Sequence, residues 1–148
     1  MKRDTFRTGP ANGSSPPSDR VLSSSHYSIL VVDDYIDAAK TLAMTLKIMG
    51  HTPRMAHDGL EALKVAEEFL PDVVLLDIGL PKLDGYEVCR HIRQQSWGER
   101  MVLIALTGWA QDEDKINSKD AGFNCHLVKP IDPANLRKLL DGLLSAPV

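Results

Sequence analysis

Residues 73–87 read V-V-L-L-D-I-G-L-P-K-L-D-G-Y-E. Val73, Val74, Leu75 and Leu76 run unbroken into a single aspartate, Asp77, and turn chemistry at Gly79 and Pro81 leads to a helix start at Asp84-Gly85-Tyr86-Glu87. Four apolar residues without alternation fit a strand buried on both faces, as in a parallel sheet covered by helices. Asp77 then stands at the strand's carboxyl end, the edge at which open α/β sheets bind ligands. Alone, an aspartate in that place does no more than begin a turn. Its meaning depends on what ends the other strands.

Toward the amino terminus, residues 58–61, D-G-L-E, match a capping box with Asp58 as N-cap. The helix it opens carries Leu60, Leu63, Ala66 and Leu70 and is ended by Pro71. Residues 51–56 before it form a weaker strand, and Pro53, which lacks an N–H, predicts an edge position. Residues 27–32, Y-S-I-L-V-V, form another strand that stops at Asp33-Asp34. The helix after it has Ala39, Leu42, Ala43, Leu46 and Met49 at helical spacing, with Gly50 placed to close it.

Toward the carboxyl terminus, a helix with Tyr86, Val88, Cys89 and Ile92 begins at a second capping box, residues 84–87. Residues 101–106 form a fourth buried strand closed by Thr107-Gly108. Residues 111–120 are helix-like, with Ile116 their only large apolar residue, and a helix so polar packs loosely and opens readily. Residues 125–128, C-H-L-V, form the fifth strand, which ends at Lys129-Pro130. Asp132 and Pro133 supply an N-cap and first-turn proline for a last helix whose Leu136, Leu139, Leu140, Leu143 and Leu144 make one apolar stripe. Strands alternating with helices in this way predict an α/β fold, a five-stranded parallel sheet flanked by five helices. With the Pro53 strand at the edge, the strand order is 2-1-3-4-5.

At 148 residues, 43% apolar and 25% charged, the chain has the size and composition of one ordinary globular domain. A net charge of -3 gives no electrostatic case for direct nucleic-acid binding, which calls for a clustered basic face. Cys89 and Cys125 lie far apart without metal-ligand spacing and are expected to be reduced packing residues of a cytosolic protein. No apolar run approaches the ~20 residues that span a bilayer. The opening M-K-R-D-T-F-R leads into no apolar segment of a signal peptide. The expected location is therefore cytoplasmic, with no membrane contact. Residues 1–26 are rich in Ser, Pro and Gly, have almost nothing to bury, and are expected to form a flexible tail ahead of a folded domain at 27–148. The tail holds Lys2, Arg3, Arg7 and Arg20 against Asp4 and Asp19, so the remainder keeps 13 basic and 18 acidic residues.

The chemistry-bearing residues all fall at strand carboxyl ends. Asp33 and Asp34 end the first strand, Asp77 the third, Thr107 the fourth and Lys129 the fifth. In the expected order the first and third strands are neighbours, so three carboxylates converge while Thr107 and Lys129 approach from the other side. Clustered carboxylates repel unless a cation sits among them, and hard oxygen donors without His or Cys select magnesium or a similar ion. Lys129 adds a point charge and Thr107 a hydroxyl for the oxygens of a phosphoryl group. The assembled chemistry is phosphoryl transfer, with Asp77 the carboxylate best placed as nucleophile.

Residues 28–144 resemble the receiver domain of two-component response regulators, a flavodoxin-like fold, through I-L-V-V-D-D, V-V-L-L-D-I-G-L-P-K-L-D-G-Y-E, I-A-L-T-G and L-V-K-P at successive strand ends. The resemblance implies that Asp77 takes a phosphoryl group from a phosphohistidine on a sensor histidine kinase or a histidine phosphotransfer protein. It implies that Asp34 and Asp77 ligate Mg2+ directly, with Asp33 acting largely through water and Gly79 offering its backbone carbonyl. Thr107 and Lys129 would hold the phosphoryl oxygens. The family couples the threonine to an aromatic residue three before the lysine, and here that position is His126. Tyr35 after the acidic pair and Ile131 after Pro130 are further departures. D-A-A-K-T-L-A, D-I-G-L-P and H-L-V-K-P are similar to receivers attached to hybrid histidine kinases.

These features predict a signalling switch that catalyses only its own phosphorylation and dephosphorylation. Its output would be a contact with a downstream protein, since no helix-turn-helix follows Leu144. A receiver fragment of a hybrid kinase, or a phosphate sink, would carry the same residues. An aspartyl-nucleophile phosphohydrolase would want a general acid two residues after Asp77, where the chain has Gly79. A flavin carrier on the same fold would need neutral phosphate-binding groups where Asp33-Asp34 stand.

Overall fold

The computed structural model describes residues 26–80, 83–108 and 119–145. Within them the chain order is β1 (Ser28–Val32), α1 (Ile36–Ile48), β2 (Thr52–Ala56), α2 (Gly59–Phe69), β3 (Val73–Asp77), α3 (Gly85–Gln94), a 3-10 turn at Ser96–Gly98 and β4 (Val102–Thr107). Residues 119–121 are helical and stand for α4, and β5 (Cys125–Val128) and α5 (Pro133–Ser145) complete the series. The expected tail up to residue 25 and most of the polar segment 111–120 lie outside the described residues, as does Trp109.

The strands form one parallel sheet in the order β2-β1-β3-β4-β5, as predicted, with the Pro53 strand at the edge. All five residues of β3 are buried, because both sheet faces are covered. On one face, Leu30, Val74 and Leu103 pack with Ala62 and Ala66 of α2 and Val88, Cys89 and Ile92 of α3. On the other, Ile29, Leu75 and Ile104 pack with Ala39 and Leu46 of α1 and Leu136 and Leu140 of α5. The alternation along each strand sends successive side chains to opposite layers.

The helix boundaries follow local chemistry. Asp58 and Asp84 cap α2 and α3, accepting from the Glu61 and Glu87 N–H groups at 2.8 and 3.0 Å. Gly50 closes the turn after α1 with φ 98, a left-handed conformation that costs a residue without Cβ little. One expectation for α2 is corrected. Leu60 and Leu70 do not belong to its buried stripe, being 65% and 54% exposed; the buried residues are Gly59, Ala62 and Ala66, whose small side chains let the helix lie close to its neighbours. As expected, the helix stops just ahead of Pro71, with Leu70 as its C-cap in the left-handed position at φ 50. In α5, Asp132 Oδ1 accepts from the Ala134 N–H at 2.9 Å, and Leu136 and Leu140 are buried as expected.

At the amino-terminal edge of the sheet, Arg93 of α3 ties several segments together. Its Nε donates to the Gly122 carbonyl at 2.9 Å, and one terminal nitrogen reaches the carbonyls of Gly98, Glu99 and Met101 at 3.0, 3.2 and 2.7 Å. The other donates to Asn124 Oδ1 at 2.7 Å, an oxygen that also accepts from the Leu103 N–H at 2.7 Å. Beside it, Cys89 donates to the Ala121 carbonyl at 3.3 Å, and burial pushes its thiol up to about 11, which keeps it protonated. Neither cysteine is in a disulfide.

Where β1 begins, the Tyr27 N–H donates to His51 Nδ1 at 3.1 Å and the two rings stack at 5.4 Å. An accepting Nδ1 requires the neutral ring. Burial first, and the nearby His26 second, lower the His51 pKa from 6.5. A histidine so depressed binds its proton more readily when unfolded, so its contribution is full above pH 6.5 and lost as the pH falls below that value. The melting temperature of the wild type is expected to fall more steeply below pH 6.5 than that of His51→Asn, whose amide oxygen accepts the same bond at any pH. Parallel curves from thermal melts across pH 5 to 8 would remove His51 as the cause.

Candidate functional site

The carboxyl ends of β1, β3, β4 and β5 bring together the residues expected at one edge. Asp33, Asp77 and Thr107 are 4%, 9% and 5% exposed, and they are the buried polar or charged residues among those described. One carboxylate oxygen from each of Asp33, Asp34 and Asp77 lies within 4.8 Å of the other two. Lys129 Nζ bridges two of these acids, 3.3 Å from Asp33 Oδ2 and 3.2 Å from Asp77 Oδ2. Strand register explains the convergence: Val32 pairs with Leu76, which sets Asp33 level with Asp77, while Asp77 pairs with Leu106 and Thr107 with Val128, so Thr107 and Lys129 stand one and two positions further along.

Each side chain is held from the backbone upward. Asp77 Oδ1 accepts from the Gly79 N–H at 3.0 Å, and the Ile78 carbonyl accepts from the Gly85 N–H at 3.1 Å. A Cβ on Gly85 would lie 2.6 Å from the Asp77 carbonyl oxygen and from Ile78 Cα, so only glycine lets α3 start this close to the acid loop. Asp33 Oδ1 accepts from the Tyr35 N–H at 3.0 Å, closing an Asx turn, while Oδ2 meets Lys129. The Lys129 N–H donates to the Thr107 carbonyl at 2.7 Å, which joins the ends of β4 and β5. Among the described residues the exposed Asp34 carboxylate has no hydrogen-bond or ion-pair partner, and its placement rests on its backbone.

The electrostatics are those of a site short of positive charge. Burial raises the Asp77 carboxyl above its ordinary range, and Asp33 adds to this, while the Gly79 N–H and Lys129 oppose it. Burial works against the Lys129 ammonium too, yet Asp77 and Asp33 outweigh it and hold its pKa above the ordinary value. The two directions agree on one picture: the ammonium shared between two carboxylates is itself stabilised, yet it does not offset the burial of Asp77. Among the described residues, three carboxylates against one ammonium leave two negative charges, and the donors of the cluster are all oxygen. That set fits a hard dication.

His126, the expected switch residue, lies on β5 opposite Ala105, and Thr107 lies opposite Val128. Residues paired across parallel strands share a face, so His126 and Thr107 face the same side of the sheet, two positions apart. Gly79 joins the site through its N–H. A contact not expected from the sequence is that of His57, whose Nδ1 is 3.1 Å from the Asp33 carbonyl oxygen. A pocket of about 510 Å³ opens beside the acids, lined by Tyr35, Ala38, Thr41, Pro130 and Ile131 among others.

A model of the response regulator receiver domain matches residues 29–141, and the chain belongs to that family. It is 38% identical over 112 residues to an uncharacterized protein of Leptolyngbya boryana, covering 76% of this chain and 86% of that one. It is 38% identical over 116 residues to a probable transcriptional regulator, ycf27, of Guillardia theta, covering 78% of this chain and 44% of the relative. The chain thus spans less than half the length of that regulator. Among solved structures, the receiver domain of the sensor histidine kinase PA1611 of Pseudomonas aeruginosa superposes with a TM-score of 0.75 at 34% identity, covering 82% of this chain and all of that one. That structure holds a magnesium ion in its active-site cleft. Among the described residues here, no helix is long and apolar enough to cross a membrane.

Proposed function

We propose that the chain is a phospho-accepting receiver, in which Asp77 takes a phosphoryl group from a phosphohistidine on a sensor histidine kinase or histidine phosphotransfer protein. A carboxylate oxygen of Asp77 bonds to phosphorus as the phosphorus–nitrogen bond breaks. The imidazole of the donor keeps the electron pair and leaves neutral after taking up a proton. What supports this reading most is the convergence of three carboxylates within 4.8 Å, with Lys129 bridging Asp33 and Asp77. Asp34, Asp77 and the Gly79 carbonyl would hold Mg2+ directly and Asp33 through water. When bound, the ion neutralises the charge that gathers on the transferring oxygens. Lys129 and the Thr107 hydroxyl hold the phosphoryl oxygens.

The product is a mixed anhydride that shifts the domain between two states, with Thr107 and His126 as the moving pair. The domain acts on its own phosphorylation and dephosphorylation, and its output passes through contact with a downstream protein. The likeness to a sensor-kinase receiver and to a transcriptional regulator leaves this acceptor chemistry the same in either setting.

Incubation with a small acyl phosphate and magnesium is expected to add one phosphoryl group by mass, removed by hydroxylamine. No adduct under conditions where magnesium binds would overturn the reading.

A further inference from the structure

His57 follows the edge strand β2 and precedes the cap of α2, and nothing in the acceptor chemistry requires a histidine there. Its backbone is fixed by that cap: the His57 N–H donates to Glu61 Oε1 at 2.7 Å, while Asp58 accepts from the Glu61 N–H. The ring is thereby aimed across the sheet, with Nδ1 3.1 Å from the Asp33 carbonyl oxygen. A carbonyl oxygen only accepts, so Nδ1 carries the proton and donates it.

The bond replaces a missing rung of the sheet. The ladder between β1 and β2 runs up to the Asp33 N–H, which donates to the Ala56 carbonyl at 3.1 Å. The next parallel rung would bring the Asp58 N–H to the Asp33 carbonyl. Asp58 turns away to cap α2, and the imidazole takes the vacated place. The Asp33 carbonyl belongs to the peptide that joins Asp33 to Asp34. Asp33 is otherwise held through its side chain, by Tyr35 and Lys129. Asp34, without a side-chain partner among the described residues, is held by its two flanking peptides: this one through the imidazole, and the Asp34–Tyr35 peptide through the Tyr35 N–H on Asp33 Oδ1.

We infer that His57 is a positioning residue for divalent-cation binding: its Nδ1–H clamps the Asp33–Asp34 peptide and so sets where the Asp34 carboxylate points. The inference rests on the acidic cluster being the magnesium site of the proposed function. Losing a group that orients metal ligands costs roughly tenfold or more in affinity.

Magnesium alone, titrated calorimetrically into the full chain, tests this with three variants. His57→Ala and His57→Phe remove the donor, the second while keeping a ring, and His57→Asn places an amide N–H at the same distance along the side chain. The first two are expected to weaken magnesium binding about tenfold, and His57→Asn to stay within about threefold of wild type. Melting in metal-free buffer shows whether the fold is kept. Should His57→Ala prove unstable, the comparison of His57→Phe with His57→Asn at matched melting temperature decides. Equal affinity in the donor-less and donor-bearing variants would overturn the role of His57. A wild type that binds no magnesium would instead overturn the site itself.

Discussion

Asparagine in place of Asp77 is expected to abolish the phosphoryl adduct completely, yet to raise the melting temperature by a few degrees in metal-free buffer. The loss follows because a neutral amide lacks the nucleophilic oxygen, and no neighbouring acid is equivalent. Asp33 stands at the end of the neighbouring strand with Oδ1 tied into the turn with Tyr35, and Asp34 is exposed on a loop. The gain in stability follows from the raised Asp77 pKa, caused first by burial. A carboxyl whose folded pKa exceeds its unfolded value favours folding only when protonated. Its ionisation therefore costs stability as the pH rises above 3.8, and the cost is complete above the folded pKa. The amide removes it. Magnesium should stabilise the wild type through binding and the variant far less. Adduct retained in Asp77→Asn would place the acceptor elsewhere. A lower melting temperature without metal would mean that the ion pair with Lys129 outweighs the burial of the carboxylate.

The largest expected loss of stability lies at the opposite end of the sheet. Arg93→Met should cost about 3 kcal/mol, because it leaves several partly buried acceptors without their donor. These are the carbonyls of Gly122, Gly98 and Met101, while the exposed Glu99 carbonyl loses a bond to which water has access and Asn124 Oδ1 keeps the Leu103 N–H. Arg93→Lys should recover only a minor part, since a point-like ammonium cannot donate in several fixed directions at once. Denaturant unfolding measures both. If Arg93→Lys matched the wild type, simple charge would be the important quantity and the forked geometry would not.

The acidic edge is legible in the sequence because Asp33, Asp77 and Thr107 each close a buried apolar run, and Lys129 follows a fifth, half-buried strand. Where four apolar residues meet one aspartate there is no alternation to resolve, and the period-free run of β3 carries its own sign of burial on both faces. The α2 stripe misleads for the converse reason: Ala62 and Ala66 carry a weak hydrophobic signal, while Leu60 and Leu70 carry a strong one and stand in solvent. His57 and Arg93 could not be read at all. Their partners lie 24 and up to 31 positions away, and a histidine in a turn or an arginine on a helix looks solvated until strand register puts a carbonyl beside it. The signal at position 57 is the cap that follows, which turns Asp58 out of the ladder and leaves a carbonyl to be claimed.

The sheet keeps the two apolar layers from touching, each with its own helices. Substitutions in one layer are therefore energetically blind to those in the other, and the two outer surfaces are free to diverge in evolution at separate rates. The rim where the strands end borders both layers. It alone inherits the constraints of each, and drift on either side is checked there.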